Sequence, residues 1–187
     1  MNTKLFLLAG AFSTLFLFSS CQKDDSKDGP GSTNNGSFSF KMDGTLWEPK
    51  SITSARLVKA EVTPGIYTKS LLILLEGKDG STANFTITDM DQSVPDGCVG
   101  LGTYYGLGSV TEENSTHVGN IYSGGGLIIT EGNGNMLSAM IGSLEVESCG
   151  GNKVSGSFEF MALDFSTGEE NVPFTEGKFE DIEFTEQ

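Results

Sequence analysis

Three thiols, one imidazole and a loop of carboxylates are the side chains of this sequence that could do covalent, acid–base or metal chemistry. Cys21, Cys98 and Cys149 are its only cysteines, and His117 is its only histidine. A multi-histidine metal centre and a Cys/His zinc site are excluded on that count, and a lone histidine in a strand reads as a surface or satisfied side chain rather than a triad member. Cys98 and Cys149 form an even pair. In an oxidising compartment such a pair reads as a disulfide, and closing a loop of about 50 residues is worth roughly 4 kcal/mol by the chain-entropy argument. The other reading is two separate buried thiols, because spacing alone does not bring two Cα atoms within bridging reach.

The segment DMDQSVPDG, Asp89 to Gly97, gathers Asp89, Asp91 and Asp96. An EF-hand loop is ruled out, since Val94 stands where the sharp turn needs glycine and Gly100 where the bidentate glutamate belongs. A calcium loop of another kind and an acidic solvated turn both remain. No cofactor is expected. Paired acids carry no glycosidase signal, because with 25 Asp and Glu residues nearly any fold brings some pair together. GCVGLGTYYGLG, from Gly97, neither follows phosphate-loop spacing nor opens a helix, and reads as a glycine-rich strand or loop. In extended chain Tyr104 and Tyr105 point to opposite faces, so one of them is expected to be exposed. With Tyr67 and Tyr122 they are the candidate platforms for stacking on a sugar or peptide, against the alternative of ordinary sheet aromatics.

The remaining thiol, Cys21, follows an apolar run. Lys4 precedes LFLLAGAFSTLFLF, Leu5 to Phe18, which is too short for a membrane span of about 20 residues and has the layout of a secretory signal. Phe18-Ser19-Ser20-Cys21 resembles the lipobox of bacterial lipoproteins, with small residues before the modified cysteine and Phe where Leu is commonest. The resemblance implies lipidation of the Cys21 thiol, cleavage before it and anchoring by several acyl chains. Ordinary signal cleavage would instead leave a free secreted thiol. Gln22-Lys23-Asp24-Asp25 is similar to the export signal of Bacteroidota surface lipoproteins, which implies an outer-membrane location facing the exterior, with the periplasmic face as the alternative. Residues 22–36, without an aliphatic or aromatic side chain, read as a flexible tether. The organisation expected is a signal over 1–20, the lipidated cysteine and tether over 21–36, and one domain over 37–187.

The formal net charge of −14 repels phosphate backbones and anionic lipid headgroups. Nucleic-acid binding is therefore excluded as a function class, and the membrane is approached only through the anchor.

The elements that must position these residues are strands. Hydrophobicity alternates with period two from Ser37 onward, and no stretch sustains a helical period. In SFSFKMDGTLWEP a type I′ turn at Asp43-Gly44 sets Met42 opposite Thr45, Phe40 opposite Trp47 and Phe38 opposite Pro49, which makes Trp47 a core residue. In SLLILLEGKDGSTANFTITD a two-residue turn at Asp79-Gly80 sets Leu74 against Phe85 and Leu72 against Ile87, in a strand apolar on both faces and hence internal. Val154, Phe158, Phe160 and Ala162 share one face with Ser157 and Glu159 opposite. The apolar register shifts across Gly177, as a β-bulge would produce. The fold expected is an all-β antiparallel sandwich or open barrel-like pair of sheets, of about ten strands.

Asp43, Gly44 and Trp47 at one end, with Gly156, Phe158, Phe160, Thr175, Gly177 and Phe179 at the other, resemble an uncharacterised family of small Bacteroidota surface lipoproteins with a β-rich domain. The resemblance implies location and fold and brings no catalytic residues. The function expected is a non-catalytic extracellular binding module, for a glycan or as part of a surface protein complex, with a structural or adhesive subunit as the alternative.

Overall fold

The computed structural model describes residues 36–94, 97–106, 108–118 and 121–187; Cys21, the segment expected as a signal, most of the segment expected as a tether and Asp96 lie outside the described residues. Within them the chain is all β. The strands are β1 Ser37–Met42, β2 Thr45–Trp47, β3 Pro49–Thr63, β4 Ile66–Gly77, β5 Thr82–Asp89, β6 Gly102–Tyr105, β7 His117–Val118, β8 Ile121–Tyr122, β9 Gly124–Thr130, β10 Met136–Gly150, β11 Lys153–Asp164, β12 Glu169–Glu183 and β13 Thr185–Glu186. Eleven of them make one sheet in the order β13-β3-β4-β5-β9-β10-β11-β12-β1-β2, with β6 added to β10, while β7 and β8 form a separate ribbon. All pairings are antiparallel except that of β13 with β3, so the sheet is mixed at one edge.

The sheet folds over on itself. Phe85 on β5 and Phe179 on β12 are four strands apart in the order, which in a flat sheet would separate them by about 19 Å. Their rings lie 5.2 Å apart, and Phe85 also meets Phe38 at 5.3 Å and Phe158 at 5.4 Å. Two halves therefore face one another across a core dense in phenylalanine, where Phe40, Phe85, Phe174 and Phe179 are fully buried. Edge-to-face and tilted ring pairs of this kind add to the burial of their large apolar area. Closure into a barrel does not occur. Instead, one continuous segment turns a corner at Glu48, so that β2 pairs β1 at one sheet edge and β3 pairs β4 near the other. A second segment turns at Phe184, carrying the chain from β12 to β13 on β3.

The opening hairpin has the expected turn, with φ of 48° at Asp43 and 75° at Gly44, and pairs Phe40 with Trp47 and Met42 with Thr45. It does not extend to Pro49. The corner at Glu48 sends Pro49 to Gly77, and Phe38 pairs with Phe179 instead. Trp47 is buried, and its indole N–H donates to Ser81 Oγ at 3.2 Å.

The second hairpin corrects the expected register by one residue. Gly77 N bonds Ser81 O at 2.8 Å, leaving three residues, Lys78, Asp79 and Gly80, in the loop. Gly80 takes φ of 82°, a left-handed conformation suited to a three-residue hairpin connection. Phe85 consequently lies opposite Ile73 and Ile87 opposite Leu71, all on the inner face, while Leu72 and Leu74 face outward. The β-bulge expected near Gly177 is present, with Phe158 opposite Gly177 but Phe160 opposite Phe174. Val154, Phe158, Phe160 and Ala162 are all buried.

Candidate functional site

Because the pairing is antiparallel, the connections gather at two ends. The turn end holds the β1–β2, β4–β5, β9–β10 and β11–β12 connections; the loop end holds the long connections from β5 to β6 and from β6 to β7. At the loop end the inner faces of two neighbouring strands stop being apolar. On β4 the inward series Leu75, Ile73, Leu71 continues to Lys69, and on β5 Phe85 and Ile87 continue to Asp89. Lys69 and Asp89 are cross-strand partners, and both are buried.

Buried polar groups need partners, and the two long loops supply them. Lys69 Nζ donates to Val94 O at 2.5 Å. Asp89 accepts from Asp91 N at 2.8 Å through Oδ1 and from Gly100 N at 2.7 Å through Oδ2. Tyr104 Oη donates to Gly100 O at 2.9 Å. Gly100 is thus clasped on both sides, and a Cβ there would stand 3.1 Å from both Asp89 Oδ2 and Tyr104 Oη. Asp91 Oδ1 accepts Ser93 N at 2.8 Å and Ser93 Oγ at 2.7 Å. Those two bonds hold the Asp91 carboxyl below its ordinary pKa, with the Lys69 charge adding to them. Burial, reinforced by the Asp89 charge, pushes the Tyr104 phenol far above its ordinary value, so it stays protonated.

The second loop is braced in the same way. Ser123 Oγ accepts Met90 N at 2.8 Å, and Ser115 Oγ donates to Ser123 O. Asn114 accepts Thr111 N at 2.7 Å and donates to Ser109 O at 2.9 Å. Between the two loops lies a polar hollow of about 410 Å³. Its floor is Asp89, Tyr104 and Ser123, all buried, and its walls include Asp91, Gly100, Asn114 and Ser115. Exposed Leu101, Thr103, Glu113 and Thr116 form its rim.

Of the four tyrosines singled out in sequence, only Tyr104 lines this hollow. It does so with its hydroxyl, since its ring is packed in the core and offers no free face. Tyr105, on the opposite face as alternation requires, is half-buried. Lys59 Nζ covers the Tyr67 ring at 4.9 Å, and Tyr122 stacks on His117 with centroids 5.1 Å apart. No joint stacking platform results. Phe165, on the turn end, is the exposed aromatic that sequence reasoning passed over. It borders a shallow, open depression with Met136 and the Asn133 and Asn135 amides, which already bond Glu131.

Cys98 and Cys149 are bonded, with Cα atoms 5.9 Å apart. The disulfide ties the first loop to the end of β10 just before Val99, which is itself in the core. Of the calcium candidates, Asp89 and Asp91 spend oxygens on loop N–H groups and the Ser93 hydroxyl, and Asp96 lies outside the described residues. Among the described residues no group of three or more His, Cys, Asp or Glu side chains is arranged to hold a metal ion. Lys69 was missed in sequence, although the signal was there: it falls in phase with Leu71, Ile73 and Leu75, where alternation predicts an inward side chain. Comparison with protein-family models, with curated proteins and with solved structures finds no match to this chain.

Proposed function

We propose that this chain is a lipid-anchored, non-catalytic binding module of the outer membrane, held through Cys21 with its domain toward the cell exterior. There it captures a polar extracellular ligand, a glycan foremost. The carrying observation is the hollow at the loop end. Its floor is rigid and internally hydrogen-bonded, while its rim offers hydroxyls and a carboxylate to a visitor. Pre-organised polar groups of this kind spend little of their binding free energy on ordering. A catalytic role is less well supported, because His117, the only imidazole, is turned to Tyr122 and Ser115 O instead of the hollow.

A structural or adhesive role is the second reading. Ile141 and Met161 are cross-strand partners on the outer face of β10 and β11, and both are exposed, which makes a small apolar patch suited to contact with another protein. A glycan and peptide array probed with residues 37–187 separates the two. Binding abolished by loop-end substitutions supports capture, and binding abolished only by Ile141→Ser with Met161→Ser supports adhesion. Mass spectrometry of the native amino terminus tests the anchor: acyl chains on Cys21 are expected, and a bare or uncleaved terminus removes the membrane part of the reading.

A further inference from the structure

The chemistry of the rim narrows the ligand class, resting on the reading of the hollow as a binding site. The floor is engaged by the protein itself: each Asp89 oxygen accepts a loop N–H, from Asp91 and Gly100, the Tyr104 hydroxyl donates to Gly100 O, and Ser123 Oγ accepts Met90 N. Thr103, Glu113 and Thr116 differ, for none of them hydrogen-bonds another described residue through its side chain, and all three are exposed at the mouth. Two are hydroxyls, which donate or accept; the third is a carboxylate, which only accepts at neutral pH. Asp89 and Asp91 also line the hollow, and none of the described residues lining it is a Lys, Arg or His.

The one ammonium nearby, Lys69, is buried behind Asp89 and bonded to Val94 O, so a ligand anion would still meet three carboxylates, while a neutral polyol would leave their field unused. A protonated amine answers both the free acceptor and the sign of the walls. Beside it, the Thr103 and Thr116 hydroxyls match neighbouring sugar hydroxyls, and Leu101, 67% exposed, gives the ring an apolar edge. We infer that the hollow selects an amino sugar with a free ammonium group over its N-acetylated form, with Glu113 receiving the ammonium.

The test is calorimetric titration of the full chain, purified in detergent, with the β-1,4-linked trimer of glucosamine and with the corresponding N-acetylglucosamine trimer. The free amine should bind about five- to tenfold more tightly, the scale of one charge-assisted contact in a partly enclosed site. Glu113→Gln should bring the two trimers to equal affinity, with an unaltered melting temperature showing that the fold is intact. Equal binding of the two trimers overturns the ammonium assignment and leaves the capture function standing. A lysine-containing tripeptide that binds as tightly as the glucosamine trimer overturns the sugar assignment. Failure of both trimers and of the tripeptide overturns the inference, and a negative array as well overturns capture itself.

Discussion

The two ends of this folded-over sheet use one local device for two purposes. At the turn end, Asp79 Oδ1 accepts Ser81 N and Ser81 Oγ, and Asp164 Oδ1 accepts Ser166 N and Ser166 Oγ. At the loop end Asp91 does the same for Ser93. An Asp with Ser two residues on closes a tight turn, because the carboxylate satisfies an N–H that no strand will pair. Beneath the Asp79 turn the device meets an apolar interior: Ser81 passes the contact to the Trp47 indole, and below it lies the phenylalanine core. Beneath the Asp91 turn it meets Lys69, Asp89 and Tyr104. The same turn chemistry therefore seals one end and leaves the other as a built polar hollow. What differs is the inward residue at the last position of the strands.

That difference makes the ends separable by mutation, and the largest effect should fall on what they share. Phe85→Ala removes a fully buried ring in contact with Phe38, Phe158 and Phe179 and should cost about 3–5 kcal/mol of stability in urea unfolding, with both ends lost together. Survival of a loop end with native near-ultraviolet dichroism in that variant would show that the hollow folds independently of the core.

Breaking the Cys98–Cys149 bond should come next, at about 2–4 kcal/mol in a Cys98→Ala, Cys149→Ala chain. Here the ends should part. Amide exchange at Asp91 and Gly100 should accelerate far more than at Gly77 and Ser81, because only the first loop loses its tie. Uniform acceleration would make the disulfide a global staple.

Much of this was legible in the alternation of side chains, and the failures have a physical pattern. Val154, Phe158, Phe160 and Ala162 declared their face, and Gly177 its bulge, because each depends on a few neighbouring residues. The β4–β5 register failed because two- and three-residue loops differ only in whether Lys78 joins the turn, and that is decided by the Gly77–Ser81 bond. Pro49 failed because the corner at Glu48 belongs to the folding of the sheet over on itself, which sends Pro49 to β4. The surroundings of the tyrosines were hidden for a related reason: residue type says that a ring is present, and only the tertiary structure says that Lys59 lies over Tyr67 and that His117 stacks on Tyr122. Lys69 was readable in phase yet overlooked, and Asp89 was read as part of an acidic loop instead of as the inward end of β5, since charges in register with a core invite the assumption that the strand has ended.

A smaller effect distinguishes the ends by hydrogen bonding. Ser81→Ala removes the acceptor of the buried Trp47 N–H and should cost about 1–2 kcal/mol without touching ligand binding. Tyr104→Phe removes the bond to Gly100 O and should cost about 1 kcal/mol while weakening capture at the hollow. Reversed binding phenotypes would mean that the site lies at the turn end, beside Phe165.

The smallest effect is the dependence on acid. Asp79, Asp91 and Asp164 all have carboxyls held below the model-peptide value of 3.8, in each case first by the Ser hydroxyl and then by the Ser N–H. A folded-state pKa below the unfolded one means that the unfolded chain binds protons first. The stabilisation is therefore complete above the unfolded value and is lost as pH falls through the folded one. All three carboxyls are solvent-screened, so the loss from each is slight. Stability measured from pH 6 downward should stay level until about pH 4 and then decline. Changing Asp79 and Asp164 to Asn should flatten part of that decline and leave amine binding at neutral pH untouched. The same change at Asp91 should also loosen the wall of the hollow, since the loop-end turn is the one whose carboxylate stands at the site.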